Sequence, residues 1–519
     1  MSAGSATLDP RKEQRLAADP AASVWVSASA GTGKTSVLTD RVLSLLLAGT
    51  PPTRILCLTF TKAAAAEMAN RIASRLGAWA SGPDAALDEM LGDLPQATPE
   101  ADRRARARRL FAQVVDAPGG LKIMTIHAFC QSLLRRFPLE AGLSPHFDVM
   151  DERSAAELIA RARDDVLARA HPRGDDTLAR ALAEVTSHVA EDAFGELMGD
   201  LVRERGRLAR GLDRVGGIEA AISAVYRRLG LDTSDTPDKI KVRACADDAF
   251  DVAGLRAAAK ALAAGKPTDR DRGAKLAAWL AAPERRGSGF ADYLLIFLTA
   301  KQTIRATLAT KAACDAAPRV DEILRDEAER LLAVVDRLNA ATTAVATAAL
   351  LRIGAAMLDA YERYKEFATL LDYDDLIFKT RQLLEARGAE WVLYKLDQGL
   401  DHILIDEAQD TNPDQWSIVA ALSEEFFAGE GAKPDTRTVF AVGDAKQSIY
   451  SFQRADPKAF DAMRALFAGR VKAAAGTWRS VDLEVSFRSA PAILQAVDAV
   501  FSTASASDGV VAPGSAIRH

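Results

Sequence analysis

Short apolar runs alternate with segments whose apolar residues recur every three to four positions, and this alternation predicts a parallel α/β sheet. The runs contain many β-branched residues, so each is expected to be a buried strand. Residues 36–48 have helical spacing, and an alanine-rich helix is expected after the second run, to about residue 80. The expected strands are residues 23–28, 55–60, 121–126, 402–405 and 438–442.

The middle of the chain has a different composition. From about residue 150 to 365, alanine, leucine and scattered charges dominate, strand-like runs almost vanish, and helical spacing prevails. Because expected strands lie on both sides of this block, it predicts a helical insertion within the α/β sheet. No internal repeat of fixed period is present.

The composition excludes several classes of protein. Of the 519 residues, 49% are hydrophobic, which rules out a disordered chain. The net charge of −5 says nothing for nucleic acid, although a local basic track is compatible with it. The four cysteines lack metal-ligand spacing, the N-terminus lacks a signal-peptide core, and apolar runs such as 293–298 are too short to cross a bilayer. We therefore expect a cytoplasmic protein with reduced thiols and no membrane association.

The first chemical motif follows the first expected strand and precedes a helix. It fits the P-loop pattern, with alanine in place of the first glycine. Small residues let backbone N–H groups approach phosphate oxygens, Lys34 would reach the β- and γ-phosphates, and the Thr35 hydroxyl would bind Mg²⁺. The alternative is a glycine turn before an ordinary helix, which the strand–loop–helix context disfavours. The expected nucleotide-binding residues are Ala28, Ser29, Ala30, Gly31, Thr32, Gly33, Lys34 and Thr35.

An acidic motif follows the expected strand at 402–405. Asp406 would hold Mg²⁺ directly or through water, and Glu407 would polarise an attacking water molecule. A solvated loop is the alternative, but a P-loop enzyme needs an acidic site at the end of a neighbouring strand. Since 372 residues separate Lys34 from Asp406, the chain between the motifs is longer than one α/β unit needs, which agrees with a large insertion.

Seven segments, in a fixed order, carry a resemblance to a known enzyme family. They are Gln14 in RKEQRLA, 59–64 (TFTKAA), 125–129 (TIHAF), 373–376 (YDDL), 406–415 (DEAQDTNPDQ), 443–452 (GDAKQSIYSF) and 485–489 (VSFRS). Together with the P-loop they resemble the UvrD/Rep-type superfamily 1 helicases. Among these they look most like the AddA-type components of helicase–nucleases, which are relatives of RecB.

The resemblance implies roles at an ATP site. Gln14 would contact the adenine edge, Gln447 would lie near the γ-phosphate, and Arg488 would reach that phosphate as an arginine finger. Gln409 and Asp410 resemble the residues that couple the ATP and DNA sites in the family. The cofactors would be ATP and Mg²⁺, the latter bound by Thr35 and Asp406. The expected catalytic residues are Lys34, Glu407, Gln447 and Arg488.

The same resemblance implies contacts to single-stranded DNA. Hydroxyls and backbone amides would hold phosphates, and aromatic rings would stack on bases. Core packing is the alternative for Phe60 and Phe129, and a structural role is the alternative for His127. Segment 373–376 is assigned a structural role, and Arg454 stands where the family usually has glycine. The expected DNA-binding residues are Thr59, Phe60, Thr61, Lys62, Thr125, His127, Phe129, Tyr450 and Phe452.

A basic cluster at residues 103–109 (RRARARR) has two open interpretations. Its arginines could contact the phosphates of duplex DNA, or they could form the solvated face of a helix. The sequence favours neither.

The architecture that the resemblance implies is a P-loop, RecA-like parallel-sheet domain with a large all-helical insertion and the start of a second RecA-like domain. The expected segments are 1–149 and 366–480 for the two parts of the first motor domain, 150–365 for the helical insertion, and 481–519 for the truncated start of the second motor domain.

The function implied by the resemblance is ATP-dependent translocation, 3′ to 5′, along single-stranded DNA. A protein of this kind would unwind duplex ends in double-strand break repair by homologous recombination, as a heterodimer with an AddB-type partner. The family's last helicase motifs and nuclease domain do not fit after residue 489, so we expect either an N-terminal portion of a longer protein or the product of a truncated reading frame. The alternatives are an ATP- and single-stranded-DNA-binding module without turnover, and an unrelated P-loop kinase or transport ATPase.

Overall fold

The structure is a computed structural model that describes residues 10–95, 100–171, 176–386, 389–397, 399–427, 436–448 and 456–507. The chain divides into two compact units. Unit 1 consists of Met1–Met150 and Leu371–His519, and unit 2 is Asp151–Leu370.

Unit 1 is built on a six-stranded parallel sheet. In chain order the strands are β1 (Ser23–Ala28), β2 (Ile55–Thr59), β3 (Lys122–Thr125), the two-residue strands β4 (Asp148–Val149) and β5 (Leu370–Leu371), β6 (His402–Ile405), β7 (Thr438–Gly443) and β8 (Trp478–Leu483). The order across the large sheet is β3-β2-β6-β7-β1-β8. All five expected strands are present, and the predicted α/β fold class is confirmed.

Strand β8 is the one strand of the six-stranded sheet that the apolar pattern missed. It pairs in parallel with β1 along its whole length, from Trp478 opposite Ser23 to Leu483 opposite Ala28. Only Val481 and Leu483 are buried in it, because it lies at the edge of the sheet and alternates polar with apolar positions. The expected domain boundary at residue 481 falls inside this strand, so the sheet of unit 1 continues to residue 483.

Helices make up most of the remaining described segments. The first six lie in unit 1: α1 (Pro10–Ala17), α2 (Lys34–Ala48), α3 (Lys62–Ser81), α4 (Asp84–Gly92), α5 (Glu100–Asp116) and α6 (Ile126–Arg136). Unit 2 contributes α7 (Glu152–Arg169), α8 (Asp176–His188), α9 (Glu191–Arg203), α10 (Arg205–Val215), α11 (Ile218–Arg228), α12 (Pro237–Ala244), α13 (Val252–Ala263), α14 (Pro267–Ala281), α15 (Phe290–Phe297), α16 (Lys311–Ala316) and α17 (Val320–Ala368). Unit 1 then resumes with α18 (Tyr373–Glu385), α19 (Ala389–Asp397), α20 (Pro413–Leu422), α21 (Pro457–Ala473), α22 (Pro491–Val500) and α23 (Ala504–Ser507).

The sheet of unit 1 is buried on both faces, which explains its near-continuous apolar strands. On one face, Trp25 of β1 stacks on Trp416 of α20 with ring centroids 5.7 Å apart, and Phe460 of α21 lies 4.8 Å away. On the other face, Val24 and Val26 pack with residues of α2 and α3. The alternation of side chains along β1 thus joins two cores through one strand.

Among its described residues, unit 2 consists of helices and the segments that connect them, with one isolated antiparallel bridge between Leu298 and Ile304 and one residue of β5. Its longest element is α17, whose 49 residues are apolar enough over one stretch to cross a membrane by length and composition alone. Such a helix is weak evidence for a membrane span, since the core helix of a globular unit passes the same test. Helices α7, α8, α11, α12 and α13 pack against α17, so it forms the core of unit 2.

The arginines of the 103–109 cluster are used inside unit 1. Arg106 donates to the carbonyl of Leu47 at the end of α2, and Arg108 donates to three carbonyls at the end of α3. Arg103 donates to two carbonyls that follow α4. Because the last carbonyls of a helix lack partners within the helix, these side chains complete the hydrogen bonding of neighbouring helix ends. Neither open interpretation of the cluster anticipated this role.

We expect Arg108→Met to lower the free energy of unfolding by about 1–2 kcal/mol, because three carbonyls and Asp84 lose their donor. The matched control is Arg109→Met, since Arg109 is exposed and donates within its own helix; its effect should stay within about 0.5 kcal/mol. Urea unfolding measures both. Loss of duplex-DNA binding by Arg108→Met at unchanged stability would restore the phosphate-contact interpretation.

Candidate functional site

The carboxyl ends of the parallel strands bring four loops to one edge of the sheet. The loop after β1 (residues 29–33, here the phosphate loop) leads into α2, and the loop after β6 carries the acidic motif. The loop after β7 carries Gln447, and residues 484–490 follow β8. Side chains that are hundreds of residues apart in sequence therefore meet at this edge.

The phosphate loop has a tight, left-handed course that requires glycine at two positions. Gly31 and Gly33 have φ values of 80° and 89°. Thr32 is buried and closes the loop, because its hydroxyl donates to the carbonyl of Ser29 at 2.9 Å. Helix α2 begins at Lys34, so its N-terminal amides and its dipole face the space above the loop.

A cation and a carboxylate meet beside this loop. The Lys34 ammonium lies 3.1 Å from Glu407 Oε2 and 3.5 Å from Gln447 Oε1. The Lys34 side chain is 12% exposed and that of Glu407 37%, so the pair is only partly screened by water. Glu407 has a φ of 48°, a left-handed conformation that is uncommon for a residue other than glycine.

The buried amide of Gln409 connects the acidic loop to the loop after β7. Its Nε2 donates to Glu407 at 2.8 Å and to Asp410 at 3.1 Å, while its Oε1 accepts from the backbone N–H of Asp444 at 2.9 Å. Gly443 permits this approach, since a Cβ there would lie 2.6 Å from Gln409 Oε1. Both ends of the amide are therefore used to hold Glu407 in place.

Two carboxylates near Glu407, those of Asp406 and Asp410, have raised pKa values. Burial raises the pKa of Asp406 to about 6, and the nearby Glu407 carboxylate adds to the rise. The pKa of Asp410 is also raised to about 6, by burial and then by Glu407. A raised pKa means that the charged form is disfavoured, so a cation at this place would be stabilised.

The donor set suits Mg²⁺, provided that the ligand completes it. A hydroxyl from Thr35 and a carboxylate from Asp406 are the oxygen ligands that Mg²⁺ prefers. No cluster of three or more His, Cys, Asp or Glu side chains that could hold a metal occurs within the described ranges. The remaining ligands would be phosphate oxygens and water, as is usual for Mg²⁺ bound with a nucleotide.

A cleft of about 420 Å³ lies over the phosphate loop. It is lined by Ala30, Gly31, Gly33, Lys34, Thr35, Ser36, Arg71, Glu407, Gln447, Phe487 and Arg488. All four expected catalytic residues are therefore at one cleft. Arg71, from α3, was missed, because an arginine on a helix that also pairs with Glu67 gives no signal of its own in sequence.

Gln14 lies at a smaller pocket beside the same loop. Its Nε2 is 3.1 Å from the position that a Cβ on Gly33 would occupy. Thr32, Asp482 and Phe487 share this pocket. Phe487 is 64% exposed and lines both the pocket and the cleft. Its flat apolar ring is therefore accessible to a ligand in either of them. The VSFRS motif pointed to this segment, but the sequence assigned a role only to its arginine.

Residues 486–488 contact the backbone of the phosphate loop directly. The Phe487 N–H donates to the carbonyl of Gly31 at 2.8 Å, and the Ser486 hydroxyl donates to that of Ala30 at 3.3 Å. A Cβ on Gly31 would lie 2.5 Å from the Cβ of Arg488. Glycine at position 31 is thus required by close approach as well as by φ.

The hydroxyls expected to bind DNA have local partners. Thr61 caps α3 by accepting from the N–H of Ala64, and Thr125 caps α6 by accepting from Ala128. The Thr59 hydroxyl is buried and donates to the carbonyl of Thr61. Phe60 is half-buried, whereas Thr61 and Lys62 are exposed at the start of α3.

The aromatic residues expected to contact DNA from β3 onwards are half-buried, packed in the core, or outside the described residues. His127 is half-buried, and its ring meets that of Tyr373 edge-on at 5.6 Å; burial lowers the pKa of His127, opposed by Asp374. Phe129 is packed in the core under the sheet, which favours the core alternative for that ring. Tyr450 and Phe452, like Arg454, lie outside the described residues. Tyr373 is 44% exposed at the first turn of α18, so its ring is available although the sequence assigned it a structural role.

Comparison with known proteins adds a family. Residues 8–468 match the UvrD/REP helicase N-terminal domain. The chain is similar to proteins named as the A component of an ATP-dependent helicase/nuclease: 31% identical to that of Desulforudis audaxviator and 28% to that of Pelotomaculum thermopropionicum, over 92% of the chain in each case. That of Lactobacillus helveticus is 25% identical over 96% of the chain. The chain spans 37–40% of the length of these three relatives.

We expect Asp406→Asn to stabilise the metal-free protein at pH 7.5 by about 1–3 kcal/mol. The carboxyl has a folded-state pKa of about 6 against an ordinary 3.8, so it binds its proton more tightly when folded. Its stabilising contribution is present below pH 4 and is lost as the pH rises through 6. The difference between variant and wild type should therefore vanish near pH 4.

Urea unfolding with a chelator at the two pH values measures this effect. The exposed Asp461→Asn is the control and should change little at either pH. A wild type as stable as Asp406→Asn at pH 7.5 would show that the charged carboxylate is already compensated within the chain.

Proposed function

The chain belongs to the UvrD/REP helicase family, and on that premise we propose that it binds and hydrolyses ATP with Mg²⁺ to drive movement along single-stranded DNA. The observation that carries the proposal is the meeting of Lys34, Glu407 and Gln447 over the phosphate loop. A lysine and a helix N-terminus supply positive charge for phosphates, and a carboxylate held at the same place can orient water.

The proposed roles follow from the surroundings of each side chain. Lys34 neutralises the β- and γ-phosphates, and Glu407 accepts a proton from the attacking water, which it can do once the phosphates draw Lys34 away from it. Thr35 and Asp406 would hold Mg²⁺, which would neutralise charge on the phosphate oxygens. Gln447 is held in place because its Nε2 donates to Asp444 at 2.8 Å. A contact between Gln447 and the γ-phosphate would therefore couple the bound nucleotide to the segment that follows β7.

The base and the arginine finger have their own candidates. Gln14 would read the adenine edge in the pocket that it shares with Phe487, whose exposed ring can cover a base. Arg488 lies at the cleft, close to Gly31, and a guanidinium there can stabilise charge on the γ-phosphate during transfer.

The proposed single-strand contacts lie at the carboxyl ends of β2 and β3. Thr61 and Lys62 are exposed there and can reach phosphates, while Tyr373 supplies a ring supported by His127. Phe60 stays a candidate for base stacking, as do Tyr450 and Phe452. The net charge of −5 agrees with local contacts rather than a broad basic surface.

For the whole protein we propose the activity in its relatives' names, that of an ATP-dependent helicase/nuclease, together with the direction, substrate and partner that the family resemblance implies. The chain would be part of an ATP-dependent helicase–nuclease that moves 3′ to 5′, acts on duplex ends and works with an AddB-type partner in recombination repair. We propose a cytoplasmic location for it, where a DNA repair enzyme would meet its substrate. The chain itself would supply the ATP site, part of the DNA track and the helical insertion.

We expect Lys34→Ala to abolish DNA-stimulated ATP hydrolysis by weakening ATP binding, because the phosphates would lose the cation at the start of α2. Glu407→Gln should retain ATP binding but reduce turnover by about 10²–10⁴-fold, since an amide cannot accept the proton. The matched control is the exposed Glu424→Gln.

Phosphate release with and without oligo(dT), together with fluorescent ATP binding, separates these outcomes. Undiminished hydrolysis in either variant would reject the site assignment. Binding of ATP and oligo(dT) by a wild type that never hydrolyses ATP would support the binding-module alternative.

We expect Tyr373→Ala to weaken oligo(dT) binding by about 1–3 kcal/mol, because base–aromatic stacking has that value per base. Phe367→Ala is the control, since Phe367 is an even more exposed aromatic residue, at 92%, and belongs to unit 2. Fluorescence anisotropy measures both variants. Equal losses, or no loss at Tyr373, would remove that ring from the DNA track.

A further inference from the structure

Lys446 reaches the phosphate loop from the loop after β7. Its Nζ donates to the Ser29 hydroxyl at 2.9 Å. Ser29 begins the turn of the phosphate loop, because its carbonyl accepts from both the hydroxyl and the N–H of Thr32. The Ser29 side chain therefore bonds to Lys446 while its backbone closes the loop.

The base of Lys446 is fixed relative to Gln447. Asp444 is buried and accepts twice: one oxygen from the Lys446 N–H at 3.1 Å and the other from Gln447 Nε2 at 2.8 Å. The Asp444 N–H in turn donates to Gln409. One carboxylate thus orients both the residue that faces Lys34 and the residue that holds Ser29.

Two lysines therefore bracket the phosphate loop. Lys34 stands at the carboxyl end of the loop and pairs with Glu407 at 3.1 Å. Lys446 stands at the amino end, and within the part of the chain that the structure describes, its side chain has a hydrogen bond to Ser29 and no ion pair with a carboxylate. Its charge is thus not neutralised by a neighbouring acid there.

We propose that Lys446 is a positioning residue of the nucleotide site: through Ser29 it fixes the first turn of the phosphate loop and holds that loop at a constant position relative to Gln447. The inference rests on the proposed use of the loop for ATP. Lys446 acts on the nucleotide through the loop, so its removal raises the KM for ATP and leaves kcat at saturating ATP nearly unchanged.

The first test needs no nucleotide, because the bond exists in the free protein. Amide hydrogen exchange of peptides that cover residues 28–35 is compared for wild type, Lys446→Met, Ser29→Ala and the double variant. Exchange should rise several-fold in each single variant, and the double variant should add nothing, since both substitutions remove the same bond. The Tm should stay unchanged, because both side chains are at least partly exposed.

The second test measures nucleotide affinity with fluorescent ATP and ADP. Lys446→Met and Ser29→Ala should each weaken both nucleotides about three- to tenfold, the effect of one hydrogen bond. Lys446→Arg should restore affinity to within about twofold, since a guanidinium can still donate to Ser29. Lys458→Met, an exposed lysine at the start of α21, is the control and should behave like wild type.

Three outcomes would overturn the proposal: unchanged loop exchange in Lys446→Met, additive effects in the double variant, or weakened binding in Lys446→Met while Ser29→Ala behaves like wild type. The last would mean that the ammonium acts on the nucleotide directly. A wild type that binds no nucleotide would defeat the proposed function, and loop exchange would still decide whether Lys446 holds the loop.

Discussion

The contact between the Lys34 ammonium and the Glu407 carboxylate, at 3.1 Å, is the interaction on which the rest of the site depends. Glu407 stands near two other carboxylates, Asp406 and Asp410, and the pKa of each is raised to about 6 by burial and by the charge of Glu407, so the cation of Lys34 offsets negative charge at this place. A parallel sheet can make this contact because it collects the carboxyl ends of distant strands at one edge. The long insertion between the two motifs is then no obstacle, since it leaves and re-enters the sheet between strands.

Several residues of the site have conformations or charges that are unfavourable in isolation. Glu407 is left-handed, Gly31 and Gly443 have no room for a Cβ, and Asp406 is charged in a place that disfavours charge. Residues in such conformations persist only where their surroundings determine them. Here the surroundings are the apolar faces of the sheet, above all the group of rings around Trp25 directly under β1.

The sequence located the elements whose residues are adjacent in the chain. The phosphate loop and the DEAQD motif are local patterns, so their spacing predicts the strand before each of them, and both strands are present. The catalytic roles of Lys34 and Glu407 stay predictions. The sequence was less informative where a role depends on three-dimensional neighbours. Arg71 and Lys446 become part of the site only because α3 and the loop after β7 approach it.

The sequence also could not predict the environment of side chains that fit two different surroundings. Phe129 lies one helical turn into α6, where its motif is equally compatible with a base or with a core. The arginines of α5 fit a DNA-contacting surface and a solvated helix face equally well in the sequence, and only the structure shows the carbonyl ends of α2 and α3 beside them. Strand β8 was not predicted because only alternate residues near its end are buried, so it lacks the continuous apolar run of a central strand.

The strand order has a consequence for how the chain is made. Strand β1 lies between β7 and β8, so both of its hydrogen-bonding edges wait for segments synthesised roughly 400 residues later. At the usual rate of translation that delay is roughly 20 to 80 s. An apolar strand with two open edges is a template for aggregation during that time, whereas unit 2 has every residue it needs long before β7 emerges. The nascent chain is thus most vulnerable at the segment that leads into its phosphate loop.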